Sequence, residues 1–139
     1  MTAIEAPFTA RHVRKPWGYE LIWAQTDRYV GKTMHIERGH QLSFQYHERK
    51  DETICLLSGL LDLLVETPDG QRSVFRLTPG HSYRIGPRVR HRLIAIETCD
   101  VIEASSPELD DIVRLEDRYG RAGTQGERAS RPGRPVKVN

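Results

Sequence analysis

Apolar and polar positions alternate in short runs between residues 26 and 106, and turn residues interrupt them roughly every ten positions. The pattern predicts strands at 33–36, 43–47, 53–57, 60–66, 73–77, 82–85, 92–96 and 101–105, with a break at Gly59. Thr67-Pro68-Asp69-Gly70 is a turn in which proline presets φ, aspartate caps, and glycine takes the left-handed position, so 60–66 and 73–77 form a hairpin. Pro79-Gly80 marks a second turn. Short strands at this spacing predict an all-β domain, a small antiparallel barrel or sandwich. Further on, Leu109, Ile112, Val113 and Leu115 fall partly at helical spacing after Ser106-Pro107, which predicts one short helix over 107–118 near the C-terminus. Residues 1–14 read as a lead-in, 15–121 as the domain, and 122–139 as a disordered basic tail with almost no apolar residues.

Length and charge narrow the classes. The chain has 139 residues, which is one domain with one core. It carries 21 basic and 19 acidic side chains, but Arg121, Arg128, Arg131, Arg134 and Lys137 belong to the last 19 residues, with Glu127 the one acid there. The rest is slightly acidic, so the isoelectric point of 8.7 is a property of the tail and argues against a nucleic-acid partner. No apolar run approaches the roughly 20 residues of a membrane span, and residues 1–15 lack the apolar region of a secretory signal. Cys55 and Cys99 lie in apolar stretches without a CxxC motif and read as free thiols in a reducing cytosol. The expected location is cytoplasmic.

Candidate chemistry gathers around His47, Glu52 and His91, with Gln45 two residues before His47. Positions i and i+2 of a strand share a face, so Gln45 and His47 point the same way. A hairpin brings Glu52 back beside them, and inward residues of different strands converge inside a small barrel. Two imidazoles, a carboxylate and an amide oxygen suit a divalent first-row metal and leave positions open for water or substrate. Spacing alone does not separate this set from surface polar residues. The glycine framing does: Gly39, then Gln45-Tyr46-His47, Glu52 and Gly59, followed by Gly80 and Gly86-Pro87-Arg88-Val89-Arg90-His91.

Those two framed segments resemble the two motifs of the cupin superfamily, with Gln45 in place of the first histidine. The usual proline and glycine of the second motif are Gly86 and Arg88 here, with Pro87 between them. The likeness is narrower still. Lys15-Pro16-Trp17-Gly18-Tyr19-Glu20, Leu42-Ser43-Phe44-Gln45-Tyr46-His47, His91-Arg92-Leu93, Asp110-Asp111-Ile112-Val113-Arg114 and Asp117-Arg118-Tyr119-Gly120-Arg121 resemble the cupin domain of type II mannose-6-phosphate isomerases. That domain often follows a mannose-1-phosphate guanylyltransferase, for which 139 residues leave no room. The resemblance implies a jelly-roll cupin barrel and a metal site of Gln45, His47, Glu52 and His91. It implies one divalent ion, zinc first, with manganese, cobalt, nickel or iron as alternatives. Glu48 stands where family members often carry another histidine.

The implied reaction interconverts mannose 6-phosphate and fructose 6-phosphate through an enediolate. It needs a base, oxyanion stabilisation and a grip on the phosphate. Arg92 and Lys32 are the candidate phosphate holders. Strict alternation turns Arg92 away from the cavity, whereas the resemblance draws it in. Arg88 and Arg90 are rim candidates. The base is sought among Glu48, Lys50, His35 and Tyr83, each with a structural reading: Glu48 and Lys50 facing solvent, His35 and Tyr83 filling the barrel interior. Trp17 reads as a seal at one barrel end. Two other readings stay open: a non-catalytic cupin that binds metal and sugar, and a cupin of another class, a dioxygenase or a nucleotide-sugar epimerase. The expected partners are a small-molecule sugar phosphate and a second copy of the chain in a homodimer.

Overall fold

The computed structural model describes residues 3–124, and every regular element among them is a β-strand. In chain order these are β1 (Arg11–Lys15), β2 (Gly18–Gln25), β3 (Val30–Ile36), β4 (Phe44–Tyr46), β5 (Glu52–Glu66), β6 (Arg72–Leu77), β7 (Ser82–Ile85), β8 (Arg90–Ser105), β9 (Val113–Glu116) and β10 (Gly123–Thr124). All pairings are antiparallel. The expected small antiparallel barrel is the fold, a sheet curled over one core.

Two long strands organise it. The end of β8 pairs with β3 on one side and with the start of β5 on the other, and β7 lies beyond β5. The start of β8 pairs with β4 and with the end of β5, and β6 lies beyond. Thus β1-β2-β3-β8-β5-β7 form one half, and β10-β9-β4-β8-β5-β6 the other. Ile36, Ile54 and Val101 from the first half share one core with Leu61, Leu63 and Leu93 from the second. Trp17 is buried in the same cluster. Full burial of each such aliphatic side chain contributes about 1.5–3 kcal/mol.

The break expected at Gly59 is a bend, not an end. Strand β5 runs through it, and the register with β8 shifts between Leu56 and Leu61. Gly59 has φ +94°, and a Cβ there would lie 2.2 Å from the Thr98 carbonyl oxygen. Backbone stands on both sides of that contact, so no side chain can yield. Gly59→Ala is therefore expected to cost about 2 kcal/mol or more. An unchanged urea midpoint would contradict this account.

The short helix expected over 107–118 is not present. Turns cover 107–111, and Val113–Glu116 is strand β9. The edge of β4 offers unpaired backbone groups, and β9 takes them, placing Val113 opposite Tyr46 and Arg114 opposite Gln45. Leu115 stays exposed, so the apolar spacing never closed into a helical face. Strand β1 begins at Arg11, inside the segment read as lead-in, and β2 was not anticipated. Their inward positions include Lys15 and Glu20, and charge at those positions hides the alternation. Strand β10 falls at the start of the expected tail, and residues 125–139 lie outside the described residues. Among the described residues no helix is long and apolar enough to cross a membrane.

Candidate metal centre

Strand pairing places Gln45 of β4 directly opposite His91 of β8. His47 follows one residue past β4, and Glu52 opens β5 after a short turn. That turn is held by Asp111, whose carboxylate accepts backbone N–H bonds from Glu48 (3.0 Å), Arg49 (2.7 Å) and Lys50 (2.9 Å). Burial opposes ionisation of Asp111, but these three donors hold its carboxyl below the usual range. The second motif is tied to the first by the Arg88 N–H, which donates to the His47 carbonyl at 2.7 Å. Arg88 itself has φ 65°, a left-handed conformation that would suit glycine.

One potential ligand atom from each of His47, Glu52 and His91 lies within 4.8 Å of the others, and all three residues are buried. Nδ1 of His47 lies 2.6 Å from the Asp111 carbonyl oxygen, and Nδ1 of His91 lies 2.9 Å from that of Val89. A carbonyl accepts, so each Nδ1 carries the proton and each Nε2 keeps its lone pair. The two Nε2 atoms lie 3.6 Å (His47) and 3.4 Å (His91) from Glu52 Oε1. Nε2 of His47 is buried and makes no hydrogen bond. A buried lone pair without a partner, beside a second imidazole and a carboxylate, is what a metal ligand looks like before the metal arrives. The residues therefore fit a divalent cation. Gln45 lines the same cavity, and its Oε1 accepts the Ser43 hydroxyl at 2.6 Å.

The triad sits at one end of a row of buried charges crossing the inner face of the barrel. Lys50 Nζ lies 3.0 Å from Glu52 Oε2 and 3.0 Å from Glu103 Oε2. Glu103 lies 3.9 Å from Lys32, which bonds Glu20 at 2.8 Å, and Glu20 lies 3.9 Å from Lys15. Signs alternate throughout, so each charge faces its opposite in a low dielectric. Burial opposes the charge on Glu52, but its His47 and His91 neighbours and the Lys50 ammonium outweigh it and hold its carboxyl well below the usual range. Burial likewise opposes the Lys50 charge, and Glu103 with Glu52 outweighs it, so the lysine stays protonated. Burial pushes the Glu103 carboxyl up. The cavity encloses about 140 Å³ and has apolar walls that include Trp17, Met34 and Leu93.

The other sequence candidates divide cleanly. Lys32 lines the cavity. Arg92 does not: alternation along β8 turns it outward, where Nε donates to the Leu42 carbonyl (3.0 Å) and Nη2 to that of Glu116 (3.0 Å). It fastens β9 to the barrel instead of holding a phosphate. Glu48 is outside too, exposed and 3.3 Å from Arg88, while Arg90 pairs with Glu66 on the outer surface. His35 stacks on Tyr19 and bonds Asp100 (2.8 Å) on the outer face of β3, and Tyr83 packs against Phe75. His35 therefore stays outside the barrel, whereas Tyr83 is half-buried and packs against the core from β7. Lys50, expected to face solvent, is buried in the cavity wall. Sequence reasoning missed Lys15, Glu20, Glu103 and Arg114. A signal existed for Glu103: Val101 is inward, and Glu103 is two residues on in the same strand.

Comparison with known proteins gives a consistent picture. Residues 5–117 match the family described as Mannose-6-phosphate isomerase C-terminal. The chain is 32% identical over 121 residues to the alginate biosynthesis protein AlgA of Pseudomonas putida, covering 84% of this chain and 24% of that protein. It is 33% identical over 117 residues to a mannose-1-phosphate guanylyltransferase of Escherichia coli, covering 80% of this chain and 23% of that one. The chain thus spans about a quarter of the length of these curated relatives. Among solved structures, KdgF from a Halomonas species superposes with a TM-score of 0.59 at 24% identity, covering 67% of this chain and 82% of that one. Oxalate decarboxylase of Bacillus subtilis superposes with a TM-score of 0.73 at 12% identity, covering 100% of this chain and 43% of that one. The structural likeness establishes a cupin fold.

Proposed function

The chain belongs to the mannose-6-phosphate isomerase C-terminal family, and from that premise we propose that it is a metal-dependent isomerase interconverting mannose 6-phosphate and fructose 6-phosphate. The observation that carries the proposal is the convergence of His47, Glu52 and His91, with the Nε2 atoms 3.6 Å and 3.4 Å from Glu52 Oε1. Those three residues would hold the ion, and Gln45, which lines the same cavity, would be the fourth ligand. Nitrogen and oxygen donors without thiolate suit zinc first, then manganese, cobalt, nickel or iron. Bound there, the ion would supply Lewis-acid polarisation of the sugar carbonyl.

The remaining work falls to the chain. Backbone carbonyls of Asp111 and Val89 fix the two imidazoles, and Lys50 fixes Glu52 by its second oxygen. Trp17, Met34 and Leu93 give the cavity apolar walls, and polar contacts beside such walls are stronger than in water. Moving a proton between C1 and C2 needs a base within reach, and a buried carboxylate can serve. Glu20 and Glu103 are the buried carboxylates that line the cavity besides Glu52. Burial opposes ionisation of Glu20, and Lys32 and Lys15 outweigh it, so it is held as the anion a base must be.

A coupled assay tests the proposal. Purified protein, stripped with a chelator and reloaded with each divalent ion in turn, is expected to form fructose 6-phosphate from mannose 6-phosphate with at least one ion. It is expected to be inert before reloading. Saturable binding of the sugar phosphate without turnover under any ion would instead favour a binding module.

A further inference from the structure

The charged row has two ends, and only one belongs to the metal. At the other, Arg11, Val13 and Lys15 alternate into the cavity from β1, and β9 brings Arg114 to the same space. Six cationic side chains and four carboxylates line the cavity among the described residues: Arg11, Lys15, Lys32, Lys50, Arg114 and Arg121 against Glu20, Glu52, Glu103 and Asp110. Lys32 and Lys50 are each taken up at close range, by Glu20 at 2.8 Å and by Glu52 and Glu103 at 3.0 Å. Lys15 is not. Its ammonium lies 3.9 Å from a Glu20 whose other oxygen already serves Lys32. Burial lowers the Lys15 pKa, and beyond the pull of Glu20 the neighbouring charges of Lys32, Arg114 and Arg121 lower it further. A half-buried lysine crowded by like charges, with its carboxylate claimed by another lysine, is poised for an anion.

We infer that the cavity end lined by Arg11, Lys15 and Arg114 is an anion subsite for a phosphoryl group, and that Lys15 sets the preference for a phosphorylated over an unphosphorylated sugar. The inference rests on the isomerase reading for the identity of the sugar, whereas the anion chemistry stands on the residues themselves. A hexose 6-phosphate has the matching polarity. Its reacting carbons C1 and C2 lie at the opposite end of the molecule from its phosphate, as the metal triad lies at the opposite end of the charged row from Lys15. Lys15 thus does what sequence reasoning assigned to Arg92.

The test compares wild type with Lys15→Met and Arg11→Gln by calorimetric titration with inorganic phosphate, mannose 6-phosphate and mannose. Zinc stoichiometry and the thermal midpoint are followed in parallel. Lys15→Met is expected to weaken phosphate and mannose 6-phosphate at least tenfold, with zinc stoichiometry and mannose affinity unchanged, and Lys15→Arg is expected to restore binding. Arg11→Gln, at the exposed rim, is expected to weaken the same two ligands about threefold, which keeps the test decisive if Lys15→Met misfolds. Phosphate affinities within twofold of wild type in the folded variants would overturn the subsite. So would a wild type that binds mannose 6-phosphate no better than mannose. If wild type binds phosphate through Lys15 yet never isomerises mannose 6-phosphate, the isomerase reading falls and the subsite stands. If wild type isomerises it and Lys15→Met leaves KM unchanged, the subsite falls alone.

Discussion

His47→Ala protein is expected to lose stoichiometric divalent metal and all measurable isomerisation while remaining folded. Removing an outer partner of a metal ligand already costs 10–100-fold in affinity, so removing a ligand itself should cost more than about 100-fold. The substitution deletes the buried Nε2 that has no other partner and leaves Glu52 with one imidazole, His91. Asp111 keeps its three backbone donors, so the turn between β4 and β5 persists without the imidazole. Equilibrium dialysis with zinc, read beside the coupled assay and a far-ultraviolet spectrum, checks the outcome. A variant that holds one zinc per chain as tightly as wild type would remove His47 from the site.

Lys50→Met is expected to be the most destabilising single change in the cavity. The lysine is buried, with 3.0 Å to each of Glu52 and Glu103. Methionine matches its length but leaves two buried carboxylates facing one another without the intervening cation. Breaking a buried pair in this way costs about 3–5 kcal/mol, far more than an exposed pair of the same length. Adding Glu103→Gln removes one of the stranded charges and is expected to recover part of the loss. Urea denaturation of the single and double variants, with and without zinc, measures both effects. A loss below about 1 kcal/mol would mean that Lys50 is not the buried counter-ion the distances describe.

The features legible in the sequence were those tied to local geometry. Thr67-Pro68-Asp69-Gly70 announced its hairpin, and the glycine-framed spacing announced that His47, Glu52 and His91 would meet. Parity along β8 placed Arg92 outside against the pull of family likeness, and parity was right. What stayed hidden was hidden by tertiary context. Strands β1 and β2 carry Lys15 and Glu20 at inward positions, where an apolar pattern is the usual sign of a strand. The apolar spacing over 107–118 suits a helix or a strand, and the free edge of β4 decided between them. Lys50 lies in Glu48-Arg49-Lys50-Asp51, a stretch that reads as a solvated turn. Its burial follows only once β8 brings Glu103 beside it. Glu103 and Glu20 were passed over because a charge in an apolar strand is usually assigned to the surface.

Strands β5 and β8 each run through both halves of the barrel, and Glu52 begins the one as His91 nearly begins the other. Their register sets them far apart along the ladder, Glu52 opposite Ser105 and His91 opposite Val65, yet their side chains lie 3.4 Å apart. They meet only because the ladder bends at Gly59 and closes on itself. The candidate metal centre is therefore a clasp across the fold: fraying of either half pulls Glu52 and His91 apart. An ion seated there would hold the halves shut as a single cooperative unit, so that the chain's resistance to partial unfolding, and to any protease that depends on it, would rise and fall with the supply of metal.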